Sequence, residues 1–589
     1  MIVVGYNGFT RGAELFAGLY GATGRDRHSI LGHDAAVALM IDGELVVAVE
    51  EERLNREKKT SDFPIESLRY CLDQAGVAID QVDRFAFPWS FPSSTVTTMI
   101  NAIAATELPD AAKFDRLRRF GDLHTGILSH QAIRADLAAR TGFDVPAEKI
   151  VTVPHHLAHL SCGRHFSDGG DAAFLISDGR AEMCSAIAGE IRDGEITVFD
   201  DMTITVTHSL ALLYGEITRY LGFMPNNDEY KVMGLSAFAD TEQPNPLIEH
   251  EVVQLLPNGR YALAIPNDPA GTRGYYALLD RIFGGSEDVR EEPSYQARVA
   301  RAAQDMVEVV TAHQVAELER RTTAPQLLIE GGLALNCVNN TKLLENSRFA
   351  DAHVSFGASD PGVAIGAAVY AGGTTTRDPS PYLGPHYSDD EVETVLRQYT
   401  DRVRWVVMDD IAGETAKLLT EKTVIGWFHG RTEYGPRALG NRSILANPSF
   451  PDIKDIINTR VKHREPFRPF APIVLEDDAA KVFELGKKKS SPYMTFVFPV
   501  RPEYVSVIPG AVHVDGTSRI QTVTEEGNPL LAELLGRFTE LTGIPCLVNT
   551  SFNVAGEPIV CSPRDAVECF LNTEIDHLVL GRFLVSKQD

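Results

Sequence analysis

The sequence has few cysteines, and none of them are paired in a CxxC motif. Seven cysteines are spread over 589 residues. An odd number at scattered spacings does not suit a disulfide framework, and reduced thiols are the simplest interpretation. We therefore expect a cytoplasmic protein. The seven are Cys71, Cys162, Cys184, Cys337, Cys546, Cys561 and Cys569.

Excess positive charge and long apolar runs are also lacking. The formal net charge is −26, which argues against nucleic acid and against anionic membranes, because phosphates are held by Lys and Arg. No apolar run approaches the length of a membrane span. The opening MIVVGYNG has neither a basic stretch nor a long apolar stretch, so it predicts a first strand and not a signal peptide. A polyanionic ligand would need a local basic cluster.

The length predicts two or more domains, since 589 residues are too many for one core. Hydrophobic residues make up 44% and charged residues 23%, as in ordinary globular proteins. The segment TTTRDPSPYLGP, residues 374–385, has the composition of a linker. We place the domain boundary there, giving domains 1–375 and 376–589.

One pattern occurs twice in the first domain: a strand, a polar loop and a hairpin. The strand Met1–Gly5 precedes Gly32-His33-Asp34 and a hairpin that turns at Asp42-Gly43. The strand Ala172–Ser177 precedes Asp178-Gly179 and a hairpin that turns at Asp193-Gly194. Such duplication is the plan of the actin-like α/β fold of sugar kinases and heat-shock chaperones, and a fold alone does not give a function.

Periodicity and caps predict several further elements. Helices are predicted at Pro64–Ala75, Ser294–Arg321, Gly362–Gly373, Asp389–Tyr399 and Ile411–Glu421, and strands at Thr423–Phe428 and Leu578–Val585.

Two histidines in VPHHLAH are spaced to share a metal ion. His155 and His159 are four residues apart, which places both on one helix face. Asp178 follows an apolar strand, and Asp360 precedes a glycine-rich helix. Surface histidines and a helix cap are the alternative interpretations. Two imidazoles and two carboxylates would suit Fe(II), Mn(II) or Zn(II) with coordination positions left open.

The motif GGLALN, Gly331–Asn336, follows the strand Gln326–Ile329. Paired glycines after a strand let the backbone approach a nucleotide closely. A tight strand-to-helix turn is the alternative.

A basic, glycine-rich region begins at GRTEYGPRALGNRS, residues 430–443. It lacks the lysine of a Walker motif, because Asn441 stands in that position. Its cations and those of NTRVKHREPFRPF are interleaved with Gly, Pro and Phe, which favours a walled phosphate pocket over a solvated face. They are Arg431, Arg437, Arg442, Arg460, Lys462, His463, Arg464 and Arg468. The later segment CLVNTSFN adds Asn549, Thr550, Ser551 and Asn553.

Together these motifs resemble the antibiotic and nodulation-factor O-carbamoyltransferases over nearly the whole chain. The markers are HDAA, EEERLNREKK, HHLAH, EYKVMGL, GGLALN, SDPG, GRTEYGPRALGNRS, KHREPFRPFAP and NTSFN, in that order. The resemblance implies an actin-like (ASKHA) first domain, similar to the threonylcarbamoyl transferase of tRNA modification. It implies a YrdC-like α/β second domain.

The resemblance also implies a two-site reaction. Carbamoyl phosphate and ATP with Mg would form carbamoyl-adenylate in the second domain. The intermediate would then pass through the interior, and the first domain would transfer its carbamoyl group to a hydroxyl of a small molecule. An enclosed route suits a water-labile intermediate.

Family positions assign roles to particular residues. His155, His159, Asp178 and Asp360 would hold iron, and His33 would be the base for the acceptor hydroxyl. Lys58 matches a lysine of that site, with a slip of one residue in NREKK as the alternative. In the second site the matching residues are Arg437, Lys462, Arg468, Arg519 and Ser551. Gly331, Gly332, Asn336 and Asn549 are further candidates for nucleotide binding.

Two rival functions fit parts of the sequence. A threonylcarbamoyl-type transferase acting on tRNA is disfavoured by the net charge of −26. A non-catalytic actin-fold nucleotide-binding protein would need no HHLAH metal site. The acceptor stays open, as does the oligomeric state, for which a homodimer is one option. A long insertion between Asn7 and His33 is expected to shape the acceptor pocket.

Overall fold

The computed structural model describes residues 1–20, 31–105, 109–265, 272–373 and 379–588. The chain forms two compact units. The first comprises Met1–Leu335 and Asn346–Pro379, and the second comprises Asn336–Glu345 and Ser380–Asp589. The predicted boundary at 375/376 lies outside the described residues. Residues 336–345 group with the second unit, whereas the sequence-based division placed them in the first domain.

The strands are numbered in chain order. They are β1 Ile2–Asn7, β2 Ala36–Ile41, β3 Glu44–Glu50, β4 Arg84–Phe87, β5 Ile150–Thr152, β6 Ala172–Ser177, β7 Cys184–Arg192, β8 Glu195–Val198, β9 Ile204–Thr205, β10 Val253–Leu255, β11 Tyr261–Leu263, β12 Gln326–Glu330, β13 Asp351–His353, β14 Val403–Val407, β15 Val424–Phe428, β16 Arg442–Ala446, β17 Ala471–Leu475, β18 Phe498–Pro499, β19 Thr517–Ser518, β20 Gln521–Val523, β21 Cys546–Ser551, β22 His577–Leu580 and β23 Phe583–Lys587.

The helices are numbered in the same way. They are α1 Gly12–Tyr20, α2 Glu51–Asn55, α3 Ile65–Ala75, α4 Ser93–Ala104, α5 Asp110–Leu123, α6 His130–Thr141, α7 His155–Phe166, α8 Leu210–Tyr220, α9 Glu229–Leu235, α10 Pro246–Glu249, α11 Thr272–Phe283, α12 Pro293–Arg321, α13 Cys337–Glu345, α14 Gly362–Gly372, α15 Asp389–Leu396, α16 Ile411–Thr420, α17 Ile453–Ile456, α18 Glu476–Val482, α19 Pro502–Val505, α20 Pro529–Thr542 and α21 Pro563–Leu571.

The first unit contains two sheets with the same strand order. The order is β3-β2-β1-β4-β5 in one sheet and β8-β7-β6-β12-β13 in the other. In each, the first strand of the repeat pairs antiparallel with a hairpin on one side and parallel with a later strand on the other. The predicted duplication is therefore confirmed, and with it the actin-like plan of this unit.

Both predicted Asp-Gly hairpin turns are present. Asp42 and Asp193 each have a φ of 51°, and the glycines that follow them have φ values of 87° and 85°. Positive φ at both central residues matches the right-handed twist of the strands, which explains the Asp-Gly sequence.

Helix α14 packs closely against α7 and β1 because glycines stand at the contacts. A Cβ on Gly366 would lie 1.8 Å from the carbonyl oxygen of Ala158 in α7. A Cβ on Gly5 of β1 would lie 2.0 Å from the carbonyl oxygen of Ala364. The small residues predicted on one face of this helix therefore serve backbone-to-backbone packing.

The second unit is an α/β structure around an eight-stranded mixed sheet. Its strand order is β14-β23-β22-β15-β16-β21-β17-β20. The prediction of one strand over Leu578–Val585 is wrong, because β22 and β23 form an antiparallel pair. The chain reverses at Gly581, whose φ of 57° is one that glycine adopts at little cost.

The other predicted elements occur with ends shifted by a few residues at most. The long helix α12 runs over Pro293–Arg321, and the helix predicted at Asp389–Tyr399 continues beyond α15 as a 3₁₀ turn. Among the helices of the described ranges, none combines the length and apolar character needed to cross a membrane.

Candidate functional site

Four side chains predicted as metal ligands lie together in the first unit. Their ligand atoms are all within 4.8 Å of one another. The Nε2 atom of His155 is 3.6 Å from Oδ2 of Asp178 and 3.8 Å from Oδ1 of Asp360. The Nε2 atom of His159 is 3.7 Å from the same Asp360 oxygen. Three separate segments therefore meet at one point: the first two turns of α7, the residue after β6 and the residues just before α14.

The ring of His155 is oriented for ligation. Its Nδ1 atom lies 3.1 Å from the carbonyl oxygen of Pro88, which can only accept a hydrogen, so Nδ1 carries it. The ring stacks on Trp89 with centroids 3.9 Å apart. The buried Nε2 atoms of His155 and His159 have no hydrogen-bond partner among the described residues. Orphaned nitrogens facing two carboxylates fit a divalent cation.

Asp178 is fixed from behind by the GGLALN loop. The N–H of Gly332 donates to Oδ1 of Asp178 at 2.7 Å. Gly331 has a φ of 92°, and a Cβ there would lie 2.4 Å from the carbonyl oxygen of Ser177. The glycines thus let this loop approach β6, and they orient a predicted ligand. Their assignment to nucleotide binding stays a prediction.

The buried charges favour a cation at this point. Burial alone would raise the pKa of Asp178, but the hydrogen bond and charge of the His155 imidazole hold that pKa below its usual range. Burial raises the pKa of Asp360 despite the opposing effect of His33. Burial also lowers the pKa of His159 well below normal, so this imidazole is neutral and able to ligate.

His33 lies between two carboxylates beside the cluster. Its Nδ1 atom is 2.7 Å from Oδ2 of Asp34, and its Nε2 atom is 3.4 Å from Oδ2 of Asp360. Successive residues on a strand face opposite ways, which would prevent the first contact. Asp34 has a φ of 55°, outside strand geometry, so it folds back onto its neighbour. Non-glycine residues in this region cluster at functional sites.

The ammonium group of Lys59, the neighbour of Lys58, lies at Asp34. The Nζ atom of Lys59 lies 3.3 Å from Oδ2 of Asp34. The role assigned to Lys58 stays a prediction, and the one-residue alternative has this contact in its favour.

Burial alone would lower the pKa of His33, but Asp360 and Asp34 raise it to about 9.

In the second unit, Lys462 is buried at the end of β21. Its Nζ atom donates to the carbonyl oxygen and the hydroxyl of Ser551, the latter at 3.1 Å. The same atom lies within hydrogen-bond distance of the carbonyl oxygen and the side-chain oxygen of Asn553, at 3.0 and 2.7 Å. Lys462 follows a π-helical turn, a feature common at functional sites. Predicted residues Lys462 and Ser551 are therefore in direct contact.

Asn549 ties together the segments that carry Arg437 and Arg519. Its side-chain nitrogen donates to the carbonyl oxygen of Ala438 at 3.3 Å and to Oε1 of Gln521 at 2.7 Å. Ala438 follows Arg437, and Gln521 is two residues after Arg519. Arg519 also bonds the thiol of Cys337, and burial lowers its pKa.

The guanidinium groups of two arginines in the glycine-rich loop are held by contacts within the protein. Arg442 is fully buried, lies over the ring of Phe428 and donates to main-chain carbonyls that include His429 O at 2.6 Å. Arg431 donates to the carbonyl oxygen of Gly384 at 3.2 Å. Arg437, like Arg431, is half-buried, and its assignment to phosphate binding stays a prediction.

The remaining predicted residues have local partners. Asn336 accepts the N–H of Asn339 and begins α13. Arg468 pairs with Glu465 at 2.7 Å. The insertion between Asn7 and His33 includes α1, and its residues 21–30 lie outside the described part of the chain. Glu182 was not predicted from the sequence. It accepts two backbone N–H bonds beside the four clustered side chains and shares no motif with them.

The likeness of the chain to a solved dehydratase component is weak. Component A of the (R)-2-hydroxyglutaryl-CoA dehydratase of Acidaminococcus fermentans is 11% identical, with a TM-score of 0.31 over 63% of this chain and 97% of that one. A TM-score this low does not support any inference about function.

Curated relatives are much more similar. The nodulation protein NolNO of Sinorhizobium fredii (strain NBRC 101917 / NGR234) is 36% identical over 94% of this chain and 79% of its own length. The 3′-hydroxymethylcephem-O-carbamoyltransferase of Streptomyces clavuligerus is 34% identical over 93% of this chain and 96% of its own.

Two family models match nearly the whole sequence. The model described as "Carbamoyltransferase N-terminus" matches residues 28–369, and the model described as "Carbamoyltransferase C-terminus" matches residues 416–587. The chain is therefore a transferase, and it belongs to the carbamoyltransferase family.

Proposed function

We propose that the protein transfers a carbamoyl group to a hydroxyl of a small molecule, using iron in the first unit and ATP in the second. The convergence of His155, His159, Asp178 and Asp360 next to His33 carries this proposal. The relative named as a 3′-hydroxymethylcephem-O-carbamoyltransferase supports an alcohol as the acceptor.

The second unit, proposed to be YrdC-like, would make carbamoyl-adenylate. Hydrolysis of carbamoyl phosphate gives carbamate, and a carbamate oxygen attacks the α-phosphorus of ATP with loss of pyrophosphate. Lys462, Arg437 and Arg519 are the cations we assign to the phosphates, because charge-assisted bonds to phosphate are the strong ones. The hydroxyl of Ser551, 3.1 Å from Nζ of Lys462, would complete the site.

The first unit would carry out the transfer. The acceptor hydroxyl attacks the carbamoyl carbon, AMP departs, and the proton moves to Nε2 of His33. Asp34 holds the hydrogen on Nδ1, which leaves Nε2 as the basic atom. Lys59 lies where it keeps Asp34 ionised for that role.

The two histidines and two aspartates would hold Fe(II), with Mn(II) or Zn(II) as alternatives. When bound, such an ion would act as a Lewis acid toward the oxygens of the adenylate phosphate. A cation on Asp360 would offset the negative charge that raises the His33 pKa, which favours the neutral imidazole that a base requires.

The test uses the full chain loaded anaerobically with Fe(II). It is incubated with ATP, Mg and ¹⁴C-labelled carbamoyl phosphate, with and without a panel of alcohols that includes 3′-hydroxymethylcephem. We expect ATP-dependent pyrophosphate release and label in at least one alcohol product. Pyrophosphate release that fails to appear when all components are present would exclude the adenylate route, and label that enters tRNA instead would favour the rival transferase.

A further inference from the structure

Glu182 joins two segments that meet at the metal cluster. It lies in the loop between Asp178 and β7. Its Oε1 atom accepts the N–H of Ser90 at 2.7 Å and the N–H of His155 at 3.1 Å. The Oε2 atom is 3.4 Å from the same His155 nitrogen. One carboxylate therefore bridges the loop after β4 and the first residue of α7.

The two bridged segments together set the position and the surroundings of the His155 ring. The loop after β4 supplies the carbonyl of Pro88, which receives the ring's Nδ1–H, and Trp89, which stacks on the ring. Helix α7 supplies the backbone of His155 itself. A shift of the loop relative to the helix would move the acceptor and the stacking surface away from the imidazole together.

The bridge suits a carboxylate on physical grounds. The N–H of His155 begins the helix and has no partner inside it. A negative charge at a helix N-terminus is stabilised by the helix dipole, and a charge-assisted bond there is stronger than a neutral one. The Ser90 N–H lies in a partly buried loop next to the buried Trp89, so its bond to the same carboxylate also avoids a partly buried donor without a partner.

We propose that Glu182 is a positioning residue that sets the orientation of the His155 ring by clamping the Pro88–Ser90 loop to the start of α7. The clamp itself is inferred from the hydrogen bonds alone. Its effect on metal binding rests on the proposed function. Glu182 has no contact with the proposed reacting atoms, and acts through His155, as outer partners of metal-bound histidines do.

Metal affinity is the first readout. Fe(II) binding to full-length wild type, Glu182→Ala, Glu182→Gln and Glu190→Ala is measured anaerobically by competition with a chromogenic chelator. Glu190 is the matched control, a half-buried glutamate on β7 that bonds Thr322 at 2.7 Å. We expect Glu182→Ala to weaken binding by about 10–100-fold, the usual effect of losing such a partner. The control should bind as wild type.

Glu182→Gln separates geometry from charge. Because Oε1 alone accepts both N–H groups within 3.1 Å, an amide oxygen can replace it, so we expect near wild-type affinity. Wild-type affinity in a folded Glu182→Ala protein would overturn the proposal. Equal loss in the Gln and Ala variants would also overturn it, since the clamp would then not depend on accepting these bonds.

Tryptophan fluorescence of the metal-free protein tests the clamp without any metal. The chain has three tryptophans, and Trp89→Phe identifies the contribution of Trp89. We expect a red-shifted Trp89 emission in Glu182→Ala and an unshifted one in Glu182→Gln. Wild type that binds no metal would sink the metal proposal and leave this result standing, whereas an unshifted Glu182→Ala spectrum would overturn the clamp itself.

Discussion

Asp360 is a single carboxylate shared by the cluster and by His33. Its Oδ1 faces His155 and His159, and its Oδ2 faces Nε2 of His33. Any charge placed on the cluster is therefore felt directly at the proposed base. We therefore expect a change at the proposed metal site to alter the proposed base, and the reverse. The effect of a single substitution at either one can be interpreted only when the two half-reactions are assayed separately.

Replacing His33 should affect only the transfer step. In His33→Ala we expect pyrophosphate release to persist while carbamoylation of the acceptor falls by roughly 10²–10⁴-fold, the usual worth of a general base. Both are measured with ATP and labelled carbamoyl phosphate. The exposed His250→Ala is the control. An unchanged transfer rate would remove His33 from the mechanism and point to Asp34 or to a metal-bound water.

Replacing Lys462 should have the opposite effect. Lys462→Ala removes a buried cation from the proposed phosphate site, so adenylate formation should be lost. Transfer from supplied carbamoyl-adenylate should continue. Arg397→Ala, which removes a surface cation paired with Glu393, serves as the control. Loss of both activities in a protein with native circular dichroism would argue against separable sites.

His429 makes the second unit sensitive to acid. Burial, with a contribution from Arg442, lowers the pKa of His429 to about 3. Between that value and the unfolded value of about 6.5, only the unfolded chain binds the proton, so stability falls as pH falls through this window. The slope is at most about 1.4 kcal/mol per pH unit. In His429→Asn, the drop in Tm between pH 7 and pH 5 should shrink, and an identical drop would contradict this.

At the scale of elements, the close contact of α7 and α14 brings the ligands together. Helix α7 carries His155 and His159, and α14 begins two residues after Asp360. Only glycine at 366 allows the two backbones to approach as they do, since a Cβ would meet the oxygen of Ala158. The packing of two helices and the geometry of the cluster are thus one feature.

A methyl group at that contact should disturb both stability and metal binding. We expect Gly366→Ala to cost about 1–3 kcal/mol, as overpacking does, and to lower the amount of Fe(II) bound. Gly536→Ala in α20 is the matched control, because a Cβ there meets nothing within 4 Å among the described residues. That change should be neutral or slightly stabilising. Urea unfolding and metal analysis check both, and an undisturbed Gly366→Ala protein would refute the packing argument.

Elements with a strong local signal could be predicted from sequence. Strand β6 has the predicted bounds, and both Asp-Gly turns occur, because turn residues with positive φ are a local requirement. The motifs also pointed to four side chains that the structure brings together, and their role as metal ligands stays a prediction. The backbone turn at Asp34 and the bridge from Glu182 could not be predicted, and the sequence left Lys59 only as the one-residue alternative to Lys58. They depend on the paths of chain segments that are distant in sequence, on which local pattern carries no information.

At the scale of the molecule, helix α13 belongs to the second unit, although residues of the first unit precede and follow it in the sequence. Its side chains form hydrogen bonds with the rest of the second unit. Asn340 donates to the carbonyl oxygen of Thr495 at 3.0 Å, and the Thr341 hydroxyl bonds the main chain of Val497 at 2.9 and 3.0 Å. The sequence did not predict this, because the linker composition of residues 374–385 marks only the later of the two points at which the chain enters the second unit.

The fragment 380–589 should therefore fold poorly alone. We expect it to lack a cooperative thermal transition by circular dichroism. Residues 336–345 joined to residue 380 by a flexible Gly/Ser linker should restore that transition. The same fusion with Asn340→Ala and Thr341→Ala is the control and should restore less. A bare fragment that melts as sharply as the fusion would show that α13 is dispensable.

The interleaving of the two units also bears on how such a protein can evolve. A gene split at the segment 374–385 would not release two self-sufficient products, because ten residues needed by the downstream half, 336–345, would remain upstream. Exchange of the second unit between relatives would likewise have to carry that short segment with it. A recombinant that exchanges residues 380–589 without residues 336–345 is therefore expected to combine a foreign α13 with its second unit.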